Sequence, residues 1–118
     1  MRRGDIHLVD YEPTRGGEVN RARPSVIVSN DAADRSLERH GRGVITVVPL
    51  TSNTTRVLTF LTFQVFLGAD ECHLPKDAKA QCEQVRAVAP ERILARIGAV
   101  RRPRMAEIGG ALRRHLAL

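Results

Sequence analysis

Nine residues, GVITVVPLT at 43–51, constrain most tightly what this chain can become. The run is dense in β-branched residues, which fit a pleated strand better than a helix. Its near-continuous apolarity predicts burial on both faces, because a half-solvated strand alternates apolar and polar side chains. Such a strand needs partners within its sheet and cover above and below it.

The flanking sequence offers both. GDIHLVDY (4–11) alternates, with Ile6, Leu8 and Asp10 on one face, as a half-buried strand does. A loop follows at 12–20, marked by Pro13 and by adjacent Gly16 and Gly17, and SVIVSN (25–30) reads as the next strand. DAADRSLERHGRG (31–43) reads as a polar excursion with one helical turn. TTRVLTFLTFQVFLG (54–68), rich in Thr, Val and Phe, predicts a strand that is bent or in two paired pieces. Phe60, Phe63 and Phe66 within it read as core and not as a base-stacking platform. ADECHLPKDAK (69–79) reads as a polar loop, and AQCEQVRAVA (80–89) as an alternating strand that carries Gln84 and Arg86 on one face. Pro90 opens a helical turn, and RIGAV (96–100) makes a last short strand. From Pro103 the period changes: Met105, Ile108, Leu112 and Leu116 fall at steps of three and four, the stripe of an amphipathic helix. Five or six short strands with a terminal helix predict a mostly β fold, a small barrel or strongly curled sheet, in one domain spanning 1–118. A chain of 118 residues buries roughly two thirds of its unfolded surface.

Charge points to a partner. Lys and Arg number 19 against 13 Asp and Glu, a formal net charge of +6. Only Lys76 and Lys79 are lysines; the other 17 cations are arginines, whose planar forks match phosphate oxygens. A small arginine-heavy basic protein most often meets a polyanion, and nucleic acid is the commonest. Solvated arginines with no partner are the plainer alternative. Cys72 and Cys82 are too few for a disulfide scaffold and read as free thiols. No apolar stretch approaches the ~20 residues of a membrane helix. The patch at 6–9 behind Arg2 and Arg3 is too short for a signal-peptide core. The expectation is a cytoplasmic protein away from membranes.

Common catalytic signatures are missing. His7, His40, His73 and His115 are scattered, no Cys-x-x-Cys occurs, and neither a Gly-x-Ser-x-Gly elbow nor a phosphate-binding Gly-x-x-x-x-Gly-Lys loop is found. Asp70, Glu71 and Asp77 read as a solvated acidic loop. More informative is RARPSVIVSND (21–31), where two arginines and a proline press against a strand. Pro24 fixes the backbone where the chain enters that strand, which holds the Arg23 guanidinium at its mouth. An ion pair with Asp5 or Glu83 would account for Arg23 structurally.

Four ordered blocks carry a resemblance over nearly the whole chain. RRGDI (2–6) with DYEPTRGGEVNRARPSVIVSND (10–31), VITVVPLTSNT (44–54), LPKDAKAQCEQVRAV (74–88) and ERILARIGAV (91–100) resemble the MazF/PemK family of toxin endoribonucleases. The stretch 57–66, VLTFLTFQVF, departs by carrying a few more residues than the family's usual strand entry. The resemblance implies an SH3-like barrel of the CcdB/PemK type. It also implies a homodimer that cuts single-stranded RNA without metal or cofactor, and an antitoxin that blocks the groove. It puts the family's active-site arginine and threonine on Arg23 and Thr51.

Chemistry fits those two positions. Attack of a ribose 2′-hydroxyl on the adjacent phosphate passes through a dianionic phosphorane, and a metal-free enzyme must aim positive charge and donors at its oxygens. Thr51 ends its strand where Ser52 and Asn53 begin a turn, so its hydroxyl can donate to the same phosphate. Arginine stays protonated, so Arg23 suits a clamp or an acid better than a base. Glu18, in the glycine-flanked loop, is the candidate base, and a plain surface glutamate is the alternative. Arg15 and Arg21 charge that loop, which can order over RNA as a lid. Ser52 and Asn53 are candidates to read a base edge, and Gln84 and Arg86 to contact RNA; turn formation and a satisfied buried amide are the duller readings of Ser52, Asn53 and Gln84. Three other functions stay open at this point: a gyrase-poisoning toxin of the same fold, a plain nucleic-acid-binding barrel, and a catalytically dead relative.

Overall fold

The computed structural model describes residues 1–11, 22–54 and 63–118. Seven strands and three helices lie within these segments: β1 (Asp5–Asp10), β2 (Ala22–Ile27), α1 (Asp31–His40), β3 (Ile45–Thr51), β4 (Gln64–Leu67), α2 (Ala69–Cys72), β5 (Ala78–Gln81), β6 (Arg86–Val88), β7 (Ile93–Ala99) and α3 (Arg102–Leu116). The sheet is antiparallel and ordered β4-β5-β3-β2-β1-β7, with β6 also paired to β3. Among the described residues this ladder does not close on itself; the mostly β fold with a C-terminal helix is the expected one.

β3 is the hub, and the two-sided burial expected of it is what the structure has. Val48 and Leu50 point into a larger core with Ile6, Val26, Leu67 and Ile108 of α3. Ile45 and Val47 point the other way, into a smaller core with Val9, Ile27, Val88 and Leu37 of α1. β1 shares this property and corrects the expected one-sided pattern: its fully buried residues are Ile6 and Val9, one in each core, while Leu8 is only half-buried. Gly4, at φ +96°, turns the chain into β1; its N–H donates to the Ile27 carbonyl at 2.8 Å and its carbonyl accepts from Val100 N–H at 2.8 Å. Only glycine takes that φ without strain.

Several boundaries differ from the sequence reading. Residues 31–40 form a ten-residue helix, α1, and not one turn. Asn30 caps it by accepting from Ala33 N–H at 2.7 Å, Gly41 ends it in the left-handed region, and Leu37 with Asp34 are its buried residues. The polar loop expected at 69–79 instead holds α2 and the start of β5. The strand expected at 80–89 is broken: Cys82–Gln84 form a 3₁₀ turn between β5 and β6. Gln84 therefore sits in that turn and does not share a strand face with Arg86. β4 covers the end of the long strand expected at 54–68; residues 55–62, Phe60 among them, lie outside the described residues. Phe66 is 40% exposed, contrary to its expected core role, and Phe63 packs edge-on to the His115 ring at 5.4 Å. α3 carries the expected stripe, with Ile108 fully buried and Met105 and Leu112 packed on the larger core, although Leu116 is exposed. Among the described residues no helix is long and apolar enough to cross a membrane.

Candidate active site

Three strand ends meet at one rim: the start of β2, the end of β3 and the start of β5. The β2–β3 register ends at Ser25 paired with Pro49, and Arg23 and Thr51 each lie two residues beyond that pair on their strands. Both line a cleft of about 400 Å³, walled by Pro24, Leu50 and Ser52 on one side and by the 74–78 segment on the other. The two prolines explain why the ladder opens here: neither Pro24 nor Pro49 has an N–H to continue it. Arg23 is solvent-exposed and Thr51 half-buried.

Thr51 is held in a defined way. Its Oγ1 accepts from the Asn53 N–H at 3.2 Å, the local turn expected of Thr-Ser-Asn. With an acceptor site so used, its own O–H remains able to donate into the cleft. The far wall is fixed by Asp77, whose Oδ1 accepts from Ala69 N–H at 2.8 Å, so that carboxylate serves the loop. Glu71 of the same acidic group pairs with Arg104 at 3.3 Å, which also engages Glu107 at 2.9 Å. The arginine pKa is accordingly raised, first by the Glu107 hydrogen bond and then by Glu71.

The ion pairs offered as an alternative for Arg23 are taken by other groups. Asp5 pairs with Arg96 at 3.3 Å and accepts from Arg2 N–H at 2.9 Å. Glu83 accepts from Gln64 Nε2 at 2.9 Å. Among the described residues no carboxylate forms a salt bridge with Arg23.

A network that the sequence did not announce supports the arginine from behind. Ser25 is fully buried, and its hydroxyl donates to the Arg23 carbonyl at 3.4 Å. Tyr11 Oη is hydrogen-bonded to the same hydroxyl. The Arg86 guanidinium stacks over the Tyr11 ring, 5.0 Å from its centroid. Burial pushes the Tyr11 phenol above its ordinary pKa, against the opposing pulls of the Ser25 bond and of the Arg86 and Arg23 charges. Arg86 is therefore linked to Arg23 through Tyr11 and Ser25 and not through the cleft lining, which includes neither Arg86 nor Gln84. The clue to this network was the period-2 parity of Tyr11, Ser25 and Arg86, legible only once register was known.

Of the other residues singled out in the sequence, Ser52 lines the cleft and Asn53 is exposed beside it. Glu18, Arg15 and Arg21, with the lid hypothesis that used them, lie outside the described residues. Lys76 lines the cleft opposite Arg23. Among the described residues no three His, Cys, Asp or Glu side chains converge to hold a metal.

Comparison with known proteins then bears on this cleft. The family model described as PemK-like, MazF-like toxin of type II toxin-antitoxin system matches residues 2–116. A curated relative, Endoribonuclease MazF9 of Mycobacterium tuberculosis, is 51% identical over 118 residues, covering 100% of this chain and 98% of its own. Endoribonuclease MazF of Staphylococcus saprophyticus is 26% identical over 112 residues, 95% of this chain and 88% of its own. Among solved structures, MazE-MazF (Form-II) from Deinococcus radiodurans superposes with a TM-score of 0.76 at 21% identity, covering 100% of this chain and 96% of that one. A mycobacterial endoribonuclease in complex with its cognate antitoxin superposes at 0.72 with 23% identity over 100% and 96%. These two likenesses establish the fold.

Proposed function

The chain belongs to the PemK-like, MazF-like toxins of type II toxin–antitoxin systems, and from that premise we propose that it is a sequence-specific endoribonuclease that cuts single-stranded RNA at the Arg23–Thr51 cleft. The observation that supports this reading is that Arg23 and Thr51, near the ends of two neighbouring strands, line one cleft of about 400 Å³.

The chemistry follows from what these groups can do. The ribose 2′-oxygen attacks the adjacent phosphorus, the bond to the 5′-oxygen breaks, and a 2′,3′-cyclic phosphate and a 5′-hydroxyl result. Arg23 offsets the charge that grows on the non-bridging oxygens, and Thr51 donates a hydrogen bond to one of them. The guanidinium stays protonated, so it clamps or delivers a proton to the leaving oxygen and does not remove one. Glu18 is the proposed base for the 2′-hydroxyl, with Arg15, Arg21, Ser52, Asn53, Gln84 and Arg86 as proposed RNA contacts. Because charge is supplied by side chains, the reaction is proposed to run without metal or cofactor.

The same arginines would draw an acidic antitoxin segment into the cleft by the electrostatics that draw RNA. Two of the similar solved structures are complexes, with MazE in one and a cognate antitoxin in the other. A homodimer is the proposed working form, as the family resemblance implies. The proposed setting is the cytoplasm, with messenger RNA, and ribosomal or transfer RNA beside it, as the substrate whose loss arrests translation and growth.

The test is incubation of the purified protein with long single-stranded RNA in EDTA, followed by analysis of the ends. Discrete fragments with 2′,3′-cyclic phosphate or 3′-phosphate ends are expected. RNA left intact while the protein binds it would refute the nuclease reading and favour a binding-only toxin.

A further inference from the structure

The groups that the proposed reaction uses, Arg23 and Thr51, stand on one wall of the cleft. The other wall, the 74–78 segment, holds a cation of its own, Lys76. Of the chain's two lysines Lys79 is buried, while Lys76 is exposed. Among the described residues Lys76 forms no salt bridge. Asp77, the one carboxylate in the lining, is engaged by the Ala69 N–H at 2.8 Å. With Arg23 and Lys76 set against Asp77, the lining keeps an excess of positive charge.

The root of this lysine is held on both sides. Leu74 and Ala78, two residues before it and two after, belong to the larger core. Leu74 N–H also donates to the Ala69 carbonyl at 3.0 Å, and Ala78 pairs with Leu67 of β4. Pro75 restricts the backbone just ahead of Lys76. The ammonium thus swings on a flexible stem from a fixed point of the wall.

We infer that Lys76 binds the RNA phosphate next to the scissile one, tethering the strand across the cleft while Arg23 and Thr51 act on the bond that breaks. The inference rests on the proposed ribonuclease reading and adds a substrate contact to it. Besides the two lysines every cation of the chain is an arginine, whose rigid fork suits a fixed grip on one phosphate. A lysine instead offers a compact charge with rotatable donors, which can follow a phosphate whose position varies with the base it carries. RNA has a phosphate at every nucleotide, so a strand that sets one at the Arg23 wall has a second to give to the Lys76 wall. That second phosphate keeps its single charge through the reaction, whereas the scissile one gains charge. A contact to it tightens substrate and transition state equally.

The expected signature is therefore binding without chemistry. Kd is measured across a salt series with an oligoribonucleotide that spans a mapped cleavage site and carries a 2′-deoxy nucleotide at the cut. Lys76→Met should weaken Kd about two- to fivefold at low salt, the scale of one exposed ion pair. Its slope of log Kd against log salt should be shallower by about 0.7, the value for one phosphate contact on a single strand. Lys76→Arg should keep the wild-type slope. On the all-ribose oligomer, single-turnover cleavage by Lys76→Met should slow at limiting protein and come within about threefold of wild type at saturation. Neutral methylphosphonates, placed one at a time at the two phosphates flanking the cut, locate the contact: one of them should erase the difference between wild type and Lys76→Met. Thermal unfolding is followed for each variant, and Lys76→Gln replaces the methionine variant if that one is unstable. A wild-type slope for Lys76→Met overturns the inference, as does a difference that survives both methylphosphonates. A saturating rate as slow as that of Arg23→Ala overturns it too, because the lysine then acts on the scissile phosphate. Arg23→Ala also separates the two readings. If it cuts at the wild-type rate the cleft reading itself fails, whereas an inactive Arg23→Ala beside a Lys76→Met protein with the wild-type slope removes only the lysine.

Discussion

Arg23 is exposed, yet its backbone is held from behind. Pro24 fixes the following φ, and Ser25 grips the Arg23 carbonyl while Tyr11 grips Ser25. The tyrosine hydroxyl is the outermost link that can be cut without touching the cleft. Tyr11→Phe should cost about 1 kcal/mol of stability, the usual net worth of one hydrogen bond, and lower RNA cleavage several-fold; urea unfolding and initial rates check both. Asp34 shows the opposite use of burial. Ser29 donates to its Oδ1 at 2.7 Å, but Oδ2 is buried with no partner, and burial raises its pKa. A raised carboxyl pKa favours the protonated fold, so its stabilising contribution is full below the ordinary carboxylate range and fades as pH climbs through the folded value. Asp34→Asn should therefore raise Tm at pH 7 and lose that advantage near pH 3, as scanning calorimetry at the two values would report. The strand-end places of Arg23 and Thr51 were legible from sequence, marked by a proline and a Thr-Ser-Asn turn, whereas their proposed roles came from the family resemblance. The burial of Lys79 was not legible, since nothing in LPKDAKAQ announces it.

Elements were legible where apolar periodicity was strong. β3 and α3 stand where β-branched density and a 3–4 spacing put them. α1 was missed because its composition is almost wholly polar: Leu37 is its one large buried apolar side chain, and its ends are set by Asn30 and Gly41. The 80–89 segment misled because alternation continues through Cys82–Gln84, while the chain there makes one 3₁₀ turn between β5 and β6, which pair with successive stretches of the same edge of β3. β7 rests on α2 through a contact that tolerates no side chain: a Cβ on Gly98 would collide with the Cys72 carbonyl oxygen. Gly98→Ala should destabilise the fold by about 1–3 kcal/mol, the scale of overpacking, measured by chemical denaturation; an unchanged midpoint would mean that α2 shifts freely.

At the scale of the whole molecule, two cores on opposite faces of one sheet leave the rim at the ends of β2, β3 and β5 as the place where polar groups gather. The same packing silences the thiols. Cys72 and Cys82 are fully buried, and burial raises both, Cys82 to about 12. Iodoacetamide at pH 8 should leave the native protein unmodified and label both cysteines in denaturant, as intact mass would show. The net charge of +6 fits the same picture, since it gives RNA binding a steep salt dependence. The central claim is nonetheless local, and the cleavage rate of Arg23→Ala tests it most directly. With wild-type Tm and RNA in excess, that variant should cut at least about a hundredfold more slowly, the scale of losing one charge-stabilising donor. A folded Arg23→Ala protein cutting the same sites at the wild-type rate would contradict it.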